Sequence, residues 1–280
     1  MLAVACSRSA SVDPPQRVAA GPVSPSTIPV DAAAPPAPPD PPIVAAITPR
    51  VPWSPDPAAV DGPHTIAWEP GRPVWWAAPR RDAGRHRLVG HLHGMCGPPS
   101  YACGRWMSAG TSLGAMVCPT GNARCGDQDV GPASWEAPSW PELVTIMDHD
   151  LEAAIAKVSP KAPLDRADAI LTGYSRGGFA TPVIARRHPG RWPYLVIIEA
   201  NAPLTAAELE ASGVRAVALV AGEYGTELAG MQKTTAALKD SGFPAKLVIM
   251  PKTAHPYSDD MEYVMRQALE FVVEARPDAP

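Results

Sequence analysis

The stretch LTGYSRGG, residues 171–178, contains a serine with glycines two positions before it and two and three positions after it. It follows an apolar run and precedes a predicted helix. Ser175 is therefore either a helix-capping residue or a nucleophile mounted on a strained strand-to-helix turn. The neighbouring glycines favour the strained turn. A serine held at unfavourable backbone angles leaves no room for bulky residues on either side.

The chain on both sides of this stretch alternates apolar strands with amphipathic helices. Strands are predicted at 86–92, 114–119, 167–173, 194–200, 215–222 and 245–251, with two more in 64–79. Helices are predicted at 100–112, 141–158, 176–188, 204–212, 227–241 and 258–275. Continuous apolar strands separated by helices predict a mostly parallel sheet covered on both faces. We therefore expect an α/β fold with about eight central strands.

Chemically active side chains follow several of these predicted strands. Ser175, an acidic pair and His255 come after three of them, in the chain order serine, acid, histidine. The acidic pair is Glu223 and Glu227, and the segment HLHGMCG, residues 91–97, follows another strand. Sheets of this kind bind ligands at the carboxyl ends of their strands. These groups are therefore predicted to meet at one edge.

Residues 64–275 resemble an α/β-hydrolase. The segment GYSRG at 173–177 fits the G-x-S-x-G elbow in the strand–turn–helix setting that this motif requires. The resemblance implies that Ser175 is a nucleophile, that His255 is its general base, and that no cofactor is required. It implies cleavage of a carboxylic ester through an acyl-enzyme. A catalytically degenerate binding protein and a peptidase or amidase stay open as alternatives.

The acid of the implied triad is harder to assign. The sequence AGEYGTEL has Gly225 close to the place where the resemblance leads us to expect an aspartate. Glu223 is the first choice for the acid. Glu199, at the end of the preceding strand, and Glu227 are the alternatives.

The resemblance also implies an oxyanion hole and an open site. Its two backbone N–H donors would come from Met95 and Arg176. The Arg176 side chain is interpreted either as solvated or as a contact for an anionic substrate. About fifteen residues separate the strands ending near 200 and beginning near 215, so no large cap domain fits there. We expect a small-molecule or polymeric ester substrate, with Trp135 and Trp140 as candidate walls of the site.

Four cysteines repeat the spacing C-x6-C, as Cys96, Cys103, Cys118 and Cys125. Disulfides are the favoured interpretation, with reduced thiols and metal binding as alternatives. Pairing within each repeat, 96–103 and 118–125, is predicted because short loops bring their ends together most readily.

The N-terminal region predicts export. Residues 1–6, MLAVAC, are similar to the end of a bacterial lipoprotein signal and make Cys6 a candidate for lipidation. The basic region and longer apolar core of such a signal are missing before Cys6, so either the start is mis-assigned or truncated, or the match is chance. Residues 7–57 are proline-rich and predict a disordered tether, and residues 58–280 form the predicted catalytic domain. We expect the cell envelope or periplasm of a bacterium, with a lipid anchor. A formal net charge of -4 argues against a nucleic-acid partner.

Overall fold

The structure is a computed structural model that describes residues 56–80, 84–126 and 131–275. The candidate lipidation site Cys6 lies outside the described residues. So does the predicted tether, except for its last two residues, 56 and 57.

The described chain contains ten strands. They are β1 (Val60–Glu69), β2 (Arg72–Pro79), β3 (His86–Leu92), β4 (Ala115–Cys118), β5 (Ala123–Arg124), β6 (Ala133–Ser134), β7 (Leu164–Tyr174), β8 (Tyr194–Ile198), β9 (Ala216–Gly222) and β10 (Ala245–Met250). Eight of them form one sheet in the order β1-β2-β4-β3-β7-β8-β9-β10, and β5 pairs with β6. Only β1, β2 and β4 pair antiparallel in the large sheet. The predicted mostly parallel sheet of about eight strands is confirmed.

Seven α-helices connect the strands. They are α1 (Pro99–Ala102), α2 (Met107–Thr111), α3 (Trp140–Val158), α4 (Arg176–Arg187), α5 (Ala206–Ala211), α6 (Leu228–Asp240) and α7 (Met261–Glu274). Within the described residues, α3, α4 and α6 pack into one apolar core with one face of the sheet. Helices α2 and α7 pack into a second core on the other face. Alternate residues of the central strands enter the two cores, as the period of two requires.

The predicted helix at 100–112 is wrong in detail. The structure divides it into α1, a 3-10 turn at Gly104–Trp106, and α2. Trp106 has non-helical backbone angles (φ -142°, ψ 29°) and is fully buried. Glycine is a poor helix former, and the break lets a large indole turn into the second core.

The four cysteines form two disulfides, but the favoured pairing is wrong. Cys96 bonds to Cys125 and Cys103 bonds to Cys118. Cys103 follows α1 and Cys118 ends β4, and both are buried in the second core, where packing brings them together. Proximity along the chain was therefore a poor guide to proximity in the fold.

The connection from β8 to β9 contains only the short helix α5, so no large cap domain is inserted between these two strands. Among the described residues, no helix has the length and apolar character needed to cross a bilayer.

Candidate active site

Ser175 occupies the turn between β7 and α4. Its backbone angles are φ 52° and ψ -115°, in a region that residues with a side chain rarely adopt. The turn is held because the Ser175 N–H donates to the Ile198 carbonyl oxygen at 2.8 Å, and the Ser175 carbonyl oxygen accepts from Phe179 at 3.1 Å. A Cβ on Gly177 would overlap the Leu92 carbonyl oxygen. The sequence at this turn therefore needs glycine, and the serine hydroxyl stands at the carboxyl edge of the sheet.

His255 lies in the loop between β10 and α7, and the structure brings it to Ser175. Its Nε2 is 3.0 Å from the Ser175 Oγ, across 80 positions of sequence. The imidazole is about half exposed, with 51% of its side chain accessible. Tyr174, the residue before the serine, donates its hydroxyl to the His255 carbonyl oxygen at 2.8 Å. The elbow and the histidine loop are thus tied together directly.

The carboxylate that faces His255 belongs to Glu199, directly after β8. Glu199 Oε2 is 3.2 Å from His255 Nδ1, and its side chain is fully buried. The other carboxylate oxygen accepts from the Gly222 N–H. Since an ionised carboxylate only accepts, His255 Nδ1 carries the proton and Nε2 is free to accept from the serine. The Glu199 backbone has φ 50°, and its N–H donates to the Val220 carbonyl oxygen at 2.8 Å.

The structure does not bring the first-choice acid, Glu223, to the imidazole. Its Oε2 accepts from the Lys252 N–H at 2.8 Å, so this carboxylate holds the start of the histidine loop. Glu227 accepts from the Asn201 N–H at 3.0 Å. Both glutamates therefore bind backbone amides. Glu199 follows β8, which lies next to β7, the strand that leads to Ser175, whereas Glu223 follows β9, one strand further away.

Met95 and Arg176, the residues predicted to supply oxyanion donors, are both neighbours of residues at the serine turn. A Cβ on Gly94 would be 3.1 Å from the Ser175 Cβ, so the residue before Met95 lies against Ser175. Arg176 is the first residue of α4, where helix geometry leaves the backbone N–H without an acceptor within the helix. The Arg176 guanidinium donates to the Trp135 carbonyl oxygen at 2.6 Å. Its side chain is thus held by the loop and is not simply solvated.

The turn at Met95 is fixed from several directions. His93 Nδ1 is 2.7 Å from the Gly94 carbonyl oxygen, and its Nε2 accepts from the Gly121 N–H at 2.9 Å. The indole N–H of Trp135 donates to the His93 carbonyl oxygen at 2.9 Å. Burial, as the largest cause, lowers the pKa of His93 to about 4, so the imidazole is neutral at ordinary pH. The Cys96–Cys125 disulfide attaches the next residue to the same neighbouring segment.

Comparison with known proteins finds similarity only at the level of structure. No protein-family model matches the sequence, and no curated protein matches it. Solved structures do match. An esterase named Est22 is 14% identical with a TM-score of 0.55, over 78% of this chain and 80% of its own. A ferulic acid esterase is 15% identical with a TM-score of 0.53, over 77% and 97%. A Pyrobaculum calidifontis esterase is 18% identical with a TM-score of 0.51, over 78% and 85%.

The chain has the α/β-hydrolase fold. Sheet order, elbow geometry and structural neighbours agree on this assignment. Within the α/β-hydrolase fold, Gly225 is the position at which we expected an aspartate. A Cβ there would lie 3.1 Å from Glu199 Oε2, so the missing side chain leaves space that the Glu199 carboxylate fills. The sequence departs from the expected pattern at Gly225, and the carboxylate beside this position is that of Glu199.

The electrostatics of the site favour a charged imidazolium. The hydrogen bond that His255 donates to Glu199 is the largest cause and raises the pKa of His255 above its ordinary 6.5, while partial burial opposes this. Burial also raises the pKa of Tyr174, which keeps its hydroxyl protonated and able to donate. The arrangement can therefore accept a proton from Ser175 and hold the resulting positive charge next to a carboxylate.

Proposed function

We propose that this chain is a serine hydrolase that cleaves carboxylic esters through an acyl-enzyme. The observation that carries the proposal is the hydrogen-bonded series Ser175 Oγ, His255 Nε2, His255 Nδ1 and Glu199 Oε2. The likeness to solved esterases, each below 25% identity, supports the fold on which such a site is built. Ser175 is the nucleophile, His255 the general base and Glu199 the acid.

In the first half-reaction, His255 Nε2 removes the Ser175 hydroxyl proton as the oxygen attacks the ester carbonyl carbon. The carbonyl oxygen becomes an oxyanion, which the N–H groups of Met95 and Arg176 stabilise. His255 then gives its proton to the leaving alkoxide. The alcohol departs and leaves the acyl group on Ser175.

In the second half-reaction, a water molecule takes the place of the alcohol. His255 accepts its proton while the oxygen attacks the acyl carbon. The tetrahedral intermediate collapses, the proton returns to Ser175 Oγ, and the carboxylic acid is released. Glu199 fixes the tautomer of the imidazole in both halves and stabilises its positive charge.

The experiment that tests this function is a kinetic comparison on p-nitrophenyl acetate and its p-nitroanilide analogue. We expect the ester to be turned over much faster than the amide. Ser175→Ala and His255→Ala should each reduce kcat by about a million-fold, and the double variant should lose no more, because the residues act as a unit. Ser241→Ala, which changes an exposed serine at the end of α6, is the matched control.

Two alternatives are decided by the same assay. Absence of turnover in folded protein would favour a degenerate binding protein, and faster cleavage of the anilide would favour an amidase or peptidase. The unusual acid position was the feature that favoured degeneracy. The contact between Glu199 and His255 supports a working acid at Glu199 instead of a degenerate site.

We further propose that the chain is exported and works in an oxidising compartment. The two disulfides support this, since such bonds persist outside the reducing cytosol. Anchoring through a lipid on Cys6 stays a prediction from the sequence. Expression in a bacterium tests it, because Cys6→Ser should move the protein from the membrane fraction to the soluble fraction.

A further inference from the structure

Exposed apolar side chains are concentrated at the edge that carries Ser175. Within residues 56–80, 84–126 and 131–275, four large hydrophobic residues are exposed: Met95, Tyr101, Trp140 and Tyr224. Two follow β3, one follows β9, and Trp140 begins α3, so all four lie beside the carboxyl ends of the strands. Single exposed apolar residues are normal on a soluble protein, so the informative one is the residue that borders a cavity.

Trp140 also borders a groove of about 410 Å³. Its apolar wall consists of Trp140, Phe179, Pro182, Val183, Ala202 and Pro203. Small-molecule sites have this size and this mostly apolar lining.

The groove lies along α4, the helix that begins directly after Ser175. Phe179 is four residues after Ser175, which is about 6 Å along a helix axis, and Arg186 is about 16 Å along. Arg186 is exposed and is the lining residue of α4 that is farthest from Ser175. On the opposite side, Ala202 follows Glu199 by three residues. An ester held at Ser175 could therefore extend one arm directly into the groove.

A second cavity among the described residues does not have this relation to the site. It measures about 660 Å³, and its mixed polar and apolar lining includes Asp61 near the start of β1, Arg80 after β2 and Lys161 before β7. That cavity lies on the opposite edge of the sheet from Ser175.

We propose that the groove along α4 binds an apolar arm of the ester substrate, such as an aliphatic chain or a phenyl ring. The inference rests on the proposed esterase function and names its substrate class. The apolar wall favours the arm because burial removes it from water. Trp140 supplies a flat, rigid contact at the entrance. The positive charge of Arg186 at the far end disfavours an arm that ends in an ammonium group.

Two series of esters test the proposal by kcat/KM. One varies the acyl arm in p-nitrophenyl esters from acetate to octanoate, and the other varies the alcohol arm in acetate esters. In at least one series, kcat/KM should rise by about two- to fourfold per methylene until the groove is filled. Trp140→Ala should reduce kcat/KM for the longest ester by about tenfold more than it reduces kcat/KM for the acetate.

Two further variants separate the groove from its surroundings. Tyr224→Ala is the matched control, because Tyr224 is an exposed aromatic residue on the same edge but outside the groove. It should leave both series as in the wild type. Val183→Trp fills the groove and should remove the gain with arm length while p-nitrophenyl acetate is still hydrolysed. Circular dichroism melts check that each variant is folded.

A binding measurement keeps the groove testable apart from catalysis. Calorimetric titration of Ser175→Ala with 4-phenylbutyrate should detect binding that Trp140→Ala weakens by about tenfold. Hydrolysis with no dependence on arm length, or an equal dependence in Trp140→Ala, would overturn the groove assignment alone. Groove-dependent binding without any hydrolysis would retain the groove and overturn the proposed function. Absence of this binding in folded Ser175→Ala would also count against the groove.

Discussion

The nucleophile side and the base side of the site are built in different ways. On the nucleophile side, consecutive residues of β7, the turn and α4 fix Ser175 through backbone geometry. On the base side, His255 is held by side chains from other strand ends, namely Glu199, Glu223 through Lys252, and Tyr174. The turn depends on backbone contacts and on its glycines, whereas the loop depends on a few long-range hydrogen bonds from side chains. Single substitutions that remove one of those hydrogen bonds should therefore affect the base side and leave the turn in place.

The largest separation is expected from the two glutamates of the base side. Glu199→Gln keeps the shape but replaces the carboxylate that fixes the imidazole, and kcat should fall by about 10⁴-fold. Glu223→Gln retains an oxygen that can accept from the Lys252 N–H, so kcat should change by less than about threefold. Steady-state rates on p-nitrophenyl acetate check both values. A greater loss of kcat in Glu223→Gln than in Glu199→Gln would instead identify Glu223, the first choice from the sequence, as the acid.

The pH profile gives this pair of variants a second readout. Glu199 raises the pKa of His255, and the reaction needs the neutral imidazole. In the wild type, kcat/KM should therefore increase with pH through a value above 6.5. In Glu199→Gln, the stabilisation of the imidazolium is lost, so the residual activity should increase through a lower pH.

The next effect is a rescue that moves the acid to the other strand end. In Glu199→Ala, the carboxylate beside Gly225 is removed. Gly225→Asp would place a new carboxylate there once the Gly222 and Ala254 carbonyl oxygens, 3.2 Å from its Cβ, move by a few tenths of an ångström. The double variant should be about 10- to 100-fold faster than Glu199→Ala, since a nearby carboxylate again stabilises the imidazolium. Gly225→Asn in the same background is the neutral control. Equal rates for Asp and Asn would show that the space does not accept a working acid.

The two disulfides allow the nucleophile side to be perturbed without changing the elbow. Cys96→Ser with Cys125→Ser should loosen the Met95 turn and lower kcat by about tenfold, less than the complete loss of one oxyanion donor. Cys103→Ser with Cys118→Ser is the matched control and should leave kcat near the wild-type value. Each pair should lower the free energy of unfolding by about 3–4 kcal/mol on the chain-entropy account. Rates below the melting temperature and urea titrations measure both, and equal kcat losses would contradict the distinction.

The smallest effect concerns the link between the two sides. Tyr174→Phe removes the hydrogen bond to the His255 carbonyl oxygen, which is worth about 1 kcal/mol, so kcat should fall about fivefold with KM unchanged. Tyr101→Phe is the control, because the ring of Tyr257 lies between Tyr101 and Tyr174. A rise in KM without a fall in kcat would instead assign Tyr174 to substrate binding.

The sequence predicted what local patterns determine. Apolar runs of strand length and the segment GYSRG are local signals, and the eight-stranded sheet and the turn at Ser175 follow them. The position of Glu199 depends on the order of β7, β8 and β9 across the sheet, which no local pattern specifies. The predicted cysteine pairing was wrong for the same reason, because the observed pairs depend on how distant segments pack together. Gly225 departs from the pattern that the resemblance leads us to expect, but this departure did not indicate which glutamate faces His255.

The most direct test of the central claim is covalent labelling of the folded protein with a fluorophosphonate probe. A serine activated by His255 attacks the phosphorus and forms a stable adduct. Mass spectrometry of the digested protein should locate one adduct per chain on Ser175, absent in Ser175→Ala and slow in His255→Ala. No adduct in folded protein, or an adduct that persists in Ser175→Ala, would contradict the account.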